Sequence, residues 1–341
     1  MSLSQKRGIQ VVANASLGSS HAPMLAYRLP DLEAVDFDIL ILDLCVNEQR
    51  AIYRNLYDLA LTTDVFTYFL DWCGRKRVTP VVLILPDQLC FGHPSSHPRA
   101  NEVHDHYVRM CIKNHVPYFD GRRFVKALAK SRDTAPANLF KDIQHLTPET
   151  AQLLGKRLGN RIKGLMGKPT ARWSIARSHS YQFVPVPQQD TVERKTSIAT
   201  VRFARMGLNT NLTIACPPRC HVVAVALNMS QTNAALKIAG DHELTKRFDN
   251  AYYDPNRSMW LVIWSLISPV PTGIEGVRLS VTASSIASDQ EDNDHSRLNI
   301  LPPSDQEPVV EVSGIIVQTP SRWKLRSRMK HRVINLIGAS R

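Results

Sequence analysis

The hydrophobic period changes once along this chain, near residue 168, and that change limits the folds open to it. Before it, short apolar runs alternate with stretches of helical spacing. Asp38–Leu44 and Val78–Leu85 are runs of the kind buried on both faces of a parallel sheet, and Ile9–Ala13 and Val116–Phe119 read as shorter strands. Between them, Glu48–Gly74, Val103–Asn114 and Arg122–Lys130 have apolar residues at helical spacing. Thr147-Pro148-Glu149 starts a further helix, with Pro in its first turn. This alternation predicts a doubly wound α/β domain whose site lies at the carboxyl ends of its strands. Beyond residue 168 the pattern is strand only. Thr200–Phe203, Leu212–Cys216, Val222–Leu227, Met259–Ile267, Val277–Ala283 and Val309–Val317 are rich in Val, Ile and Thr. These predict an all-β sandwich. The expected organisation is an α/β domain over residues 1–168, a Pro-containing linker over 169–194, an all-β sandwich over 195–320 and a basic amphipathic tail over 321–341. A chain of 341 residues is long enough for two cores.

A net charge of +12 favours acidic partners. The positive residues cluster at Lys156, Arg157, Arg161, Lys163, Lys168, Arg172 and Arg177, and again at Arg322, Lys324, Arg326, Arg328, Lys330 and Arg332. No nucleic-acid motif accompanies either cluster, so no nucleic-acid partner is expected. In the tail, Leu325, Met329, Val333 and Leu336 share one face amid the basic residues. That face suits either peripheral contact with an anionic membrane or packing on its own domain. Nothing in the first thirty residues reads as a signal peptide, and no run approaches the roughly 20 apolar residues of a membrane span, so a cytoplasmic location is expected. Of the six cysteines, Cys45, Cys73, Cys90 and Cys111 lie in apolar or helical segments, and Cys216 and Cys220 lack the spacing of a zinc site. His93, His97, His104 and His106 are equally irregular as metal ligands.

Three places in the first domain carry chemistry. Gly18-Ser19-Ser20-His21 follows the first expected strand, and Pro23 opens a helix behind it. Cys45-Val46-Asn47-Glu48 follows the second, where the Asn47 amide is a potential oxyanion donor. Asp142-Ile143-Gln144-His145 lies in a loop before a helix, and its three-residue offset lets a carboxylate orient an imidazole that acts as base toward a serine. Ser16 is the alternative nucleophile, three residues past the strand. Gly18 and the helix start favour Ser20.

In this order, these blocks resemble the SGNH (GDSL-like) family of bacterial-type serine hydrolases, over residues 8–166. Gly18-Ser19-Ser20 matches the family's serine block, Cys45–Glu48 its asparagine block, and Lys141–Thr147 its histidine block. The resemblance implies a flavodoxin-like fold, Ser20, Asp142 and His145 as a catalytic triad, and no metal or cofactor. The oxyanion hole would be formed by the Ser20 backbone N–H and Asn47. The expected function is acyl esterase or O-acyltransferase activity on an acylated carbohydrate or exopolysaccharide. There are two departures. No glycine occurs between Gly18 and Gly74, where the family places an oxyanion glycine, and Cys45 and Glu48 stand where it has Gly and Asp. A second reading rests on them: a catalytically inactive SGNH-fold module that binds or assembles components in polysaccharide production.

Overall fold

The computed structural model describes residues 9–15, 20–53, 59–92, 99, 101–166, 178–196, 199–247, 253–282, 291–293 and 306–320. The chain divides into two compact units: Met1–Ser16 with Arg28–Ile175, and Leu17–Tyr27 with Ala176–Arg341. Ser16, Gly18, His93, His97 and the basic tail lie outside the described residues.

Helix α1 (Met24–Glu33) begins just after Ser20, where Pro23 predicts a helix start. The first unit then runs β1 (Ile39–Asp43), α2 (Cys45–Tyr53), α3 (Leu59–Lys76), β2 (Thr79–Ile84), α4 (Glu102–Lys113), β3 (Tyr118–Asp120), α5 (Gly121–Ser131) and α6 (Pro148–Lys163). The strands form a three-stranded parallel sheet in the order β1-β2-β3. Central β2 is apolar on both faces, as a strand covered by helices on each side must be. Val81 and Leu83 share a core with Phe124 and Val125 of α5 and with Leu154, Leu158 and Ile162 of α6. Helices α3 and α4 also pack on β2, and Phe66 meets Tyr107 edge-on at 5.7 Å.

The strand expected at Ile9–Ala13 does not form. Only Ile9 reaches the core, while Val11 and Val12 are 53% and 48% exposed. A flavodoxin-like order seats the first strand between the next two. Here β1 and β2 pair with each other directly, Ile41 opposite Val81, and leave no such slot. The β propensity of a Val-Val pair has no force without a partner edge.

The second unit contains β4 (His179–Pro185), β5 (Thr191–Lys195), β6 (Thr200–Gly207), β7 (Asn211–Ile214), β8 (His221–Asn228), β9 (Ala235–Ala239), β10 (Glu243–Arg247), β11 (Leu261–Pro271), β12 (Val277–Thr282), β13 (Glu291–Asn293) and β14 (Val309–Pro320). One sheet runs β13-β10-β9-β12-β7 and the other β11-β8-β14-β6-β5, with β4 added on β14. Val225, Leu227, Val262, Val312 and Ile315 from the second sheet share one core with Ile214, Leu236, Ile238 and Leu279 from the first, so the unit is a sandwich. Most of the expected linker beyond residue 178 instead forms β4 and β5, β5 ending at Lys195. Their polar and charged residues (His179, Gln182, Glu193, Arg194, Lys195) suit edge positions and hide the strand pattern. On β14, Glu311 is fully buried. Its carboxylate accepts from Arg194, from Arg205 at 3.3 Å and from the Asn228 amide at 2.7 Å.

Candidate active site

The loop carrying Asp142 and His145 is braced from several sides. Its ends pair as an antiparallel bridge between Phe140 and Leu146, and the Lys141 N–H donates to the His145 carbonyl at 2.7 Å. Leu139 and Phe140 anchor it in the core behind β2. At the carboxyl end of β2, Asp87 caps the short turn Gln88–Phe91. The Gln88 N–H then donates to the Ile143 carbonyl at 2.8 Å, tying the loop to the rim of the sheet. On the far side, the Thr147 side chain caps α6 by accepting from the Thr150 N–H.

Within this loop the Asp142 carboxylate accepts from the backbone N–H groups of Gln144 and His145, both at 2.9 Å. The His145 Nδ1 lies 2.8 Å from Oδ1 and 2.9 Å from Oδ2. The Gln144 N–H foremost, then the His145 side chain and its N–H, hold the Asp142 carboxyl down to about 2. An ionised carboxylate only accepts, so in the neutral form of the ring the proton sits on Nδ1. The lone pair is thereby on Nε2, and a ring in that tautomer is oriented as a general base. The side chain of His145 is 73% exposed and that of Asp142 48%.

The structure thus brings Asp142 and His145 together. Ser20 belongs to the second unit. It is 2% exposed, and its Oγ accepts from the Ile263 N–H at 3.2 Å. The adjoining His21 N–H donates to the Ile263 carbonyl, and the His21 ring lies 5.6 Å from Trp264. Burial, and then the nearby Lys246 charge, push the His21 imidazole down to about 3, which keeps it neutral. Asn47 stands in the first turn of α2, at the carboxyl end of β1.

Other polar residues singled out from the sequence have structural partners. The His104 Nε2 lies 3.1 Å from Asp120, and the His106 Nε2 lies 2.9 Å from the Thr63 hydroxyl. No cluster of His, Cys, Asp or Glu suited to a metal occurs among the described residues. Burial pushes the thiols of Cys73, Cys90 and Cys111 up to about 12, so none is a ready nucleophile. No helix among the described residues is long and apolar enough to cross a membrane. Sequence reasoning missed Gln88 as the tether of the Asp142–His145 loop. The tether is a backbone bond, and no side-chain pattern announces it.

No family model matches the chain, and no curated protein is similar to it in sequence. Solved structures do resemble it in fold. A two-domain esterase (CEX) active on acetylated mannans, co-crystallised with mannopentaose, superposes with a TM-score of 0.58 at 10% identity, covering 90% of this chain and 79% of that one. A second structure described as the same esterase gives a TM-score of 0.55 at 9% identity, covering 90% and 80%.

Proposed function

We propose that this protein is a serine-dependent acyl esterase or O-acyltransferase of the SGNH kind, acting on acylated carbohydrate. The observation that carries the reading is the Asp142–His145 pair, fixed in one tautomer by an ionised carboxylate on a braced loop. The fold likeness to esterases active on acetylated mannans supports it from a second direction. Ser20 Oγ attacks the acyl carbonyl while His145 Nε2 takes its proton, and Asp142 steadies the imidazolium that forms. The Ser20 N–H and Asn47 are the donors assigned to the oxyanion. Collapse of the tetrahedral species expels the sugar oxygen, which takes the proton from His145 and leaves an acyl-serine. Water, or a second sugar hydroxyl, then gives its proton to His145 and attacks the acyl group, and the departing serine oxygen takes that proton back, restoring the hydroxyl and the neutral base. Water makes the protein an esterase, and a hydroxyl makes it a transferase.

The test is turnover of 4-nitrophenyl acetate and of acetylated mannan by the wild type and by Ser20→Ala, Ser16→Ala and His145→Ala. Loss of activity on the order of 10⁴–10⁶ in Ser20→Ala and His145→Ala, with Ser16→Ala active, is the expected result. Loss confined to Ser16→Ala and His145→Ala moves the nucleophile to Ser16. The burial of Ser20 favours a second reading, an inactive SGNH-fold module that binds acylated polysaccharide. Binding of acetylated mannan without turnover by any variant would establish it.

A further inference from the structure

A cleft of about 600 Å³ opens on the first unit, lined by Tyr118, Phe119, Asp120, Arg123, Arg157, Asn160 and Arg161. Three guanidinium groups converge there from two helices. Arg157 and Arg161 are one turn apart at exposed positions of α6, flanking the buried stripe of Leu154, Leu158 and Ile162. Arg123 comes from the first turn of α5. None of the three forms an ion pair among the described residues. Arg157 instead lies over the Phe124 ring, 5.5 Å from its centroid. The Asp120 carboxylate is engaged inward, accepting from the Arg123 N–H at 2.9 Å and lying 3.1 Å from His104 Nε2. The lining therefore carries three guanidiniums outside any ion pair among the described residues, one committed carboxylate, a phenol, a phenyl ring and an amide.

We infer that this cleft binds an acidic sugar residue, so that the acylated carbohydrate is an anionic polysaccharide. The inference rests on the acyl-carbohydrate reading for its polymer. Its chemistry is that of the cleft. A planar guanidinium pairs with a carboxylate through two parallel N–H donors. Tyr118 and Phe119 offer apolar surface to the C–H face of a pyranose, and the Tyr118 hydroxyl and Asn160 amide suit its hydroxyl groups. A single-stranded nucleic acid needs a track of charge along its backbone. Three guanidiniums in one cleft serve one or two anionic groups. The cleft and the catalytic loop sit along the same helix. Arg157 and Arg161 follow Pro148 by nine and thirteen residues, about 14 and 20 Å at 1.5 Å per residue, a span that several linked sugars would bridge.

The experiment is calorimetric titration of the full chain, as the His145→Ala variant to prevent turnover, with tetragalacturonate and with mannopentaose. The same titrations are run in Arg157→Gln/Arg161→Gln and Arg123→Gln backgrounds. The expected result is binding of tetragalacturonate that weakens about 5–10-fold per guanidinium removed, with unchanged circular dichroism. Mannopentaose binding, weak or absent, should not differ between backgrounds. Equal tetragalacturonate affinity in all backgrounds would overturn the inference. So would an oligonucleotide of matched charge binding as tightly and being lost in the same variants. Failure of the catalytic reading is separate: acidic-sugar binding through the arginines stands if the protein turns over no ester. Conversely, turnover of acetylated mannan with no arginine-dependent binding defeats this inference alone.

Discussion

Replacing Asp142 with asparagine keeps a side-chain oxygen for the two loop N–H groups and changes what faces the imidazole. In the native loop the carboxylate accepts from the N–H groups of Gln144 and His145 at 2.9 Å and from His145 Nδ1 at 2.8 Å. In Asp142→Asn the oxygen stays with the backbone donors, and the amide NH₂ turns to Nδ1. A donor opposite Nδ1 requires Nδ1 to accept, so the proton moves to Nε2 and the base is lost in the productive tautomer. A buried dyad of this kind loses about 10⁴ in kcat on the same change. Here the His145 ring is 73% exposed, so water competes for Nδ1 and restores part of the productive form. General-base catalysis as a whole is worth about 10²–10⁴, and the exposed geometry places the expected loss at about 10²–10³ in kcat with KM little changed. The assay is acetyl-ester turnover, paired with the nitrogen-15 shifts of His145 to read the tautomer. An asparagine variant that keeps more than a tenth of wild-type kcat would refute the assignment, provided the shifts show the proton on Nε2.

The Asp142 carboxyl should titrate near 2 rather than its ordinary 3.8, followed by its carboxyl carbon-13 shift. Because the folded value is depressed, the stabilisation it gives the loop is complete above 3.8 and is lost as pH falls through about 2. A midpoint above 3.5 would mean that the loop hydrogen bonds are not kept in solution. In the sandwich, Glu311→Ala leaves Arg194, Arg205 and Asn228 without their shared acceptor and should cost about 2–4 kcal/mol, the guanidiniums being partly solvated. Urea unfolding followed by tryptophan fluorescence measures it, and a loss below about 1 kcal/mol contradicts the network's role. Gly276 has φ +107°, and an added Cβ would stand 2.2 Å from the Ile214 carbonyl oxygen. Gly276→Ala should therefore cost more than about 2 kcal/mol in the same assay. A neutral result would show that the β11–β12 turn relaxes freely.

Legibility in the sequence followed the range of the interactions. The Asp142–His145 pair spans three residues, and Thr147-Pro148-Glu149 marks the helix behind it, so both are written locally and both appear in the structure. The apolar run of β2 is legible for the same reason: burial on both faces removes any alternation. Expectations failed where the deciding partner is distant. Ile9–Ala13 has strand composition, yet its place was settled by direct pairing of β1 with β2. Strands β4 and β5 look like linker until β14 and β6 supply their edges. The oxygen of Ser20 meets an N–H 243 residues away. In the cleft, the Arg157/Arg161 pair is visible at helical spacing, while its convergence with Arg123 depends on how α5 and α6 pack on one core.

The Ser20 environment also determines how its role must be tested. Its Oγ accepts from the Ile263 N–H inside a buried segment, so Ser20→Ala removes a structural acceptor as well as a potential nucleophile. Leaving that N–H without the oxygen costs about 1–3 kcal/mol, enough to perturb the segment and reduce activity with no chemical role for the hydroxyl. Loss of turnover in Ser20→Ala is therefore ambiguous by itself. Covalent capture is not. A fluorophosphonate reacts with an activated serine by forming a P–O bond to Oγ and expelling fluoride, and peptide mass spectrometry locates the adduct. An adduct on Ser20 that requires His145 identifies the nucleophile, and it requires the Oγ to become accessible from the buried position. An adduct on Ser16 assigns Ser20 to structure. Absence of any adduct in a folded protein that still binds acylated polysaccharide would leave the Asp142–His145 pair without a serine to activate, and the esterase reading would fall to the binding module.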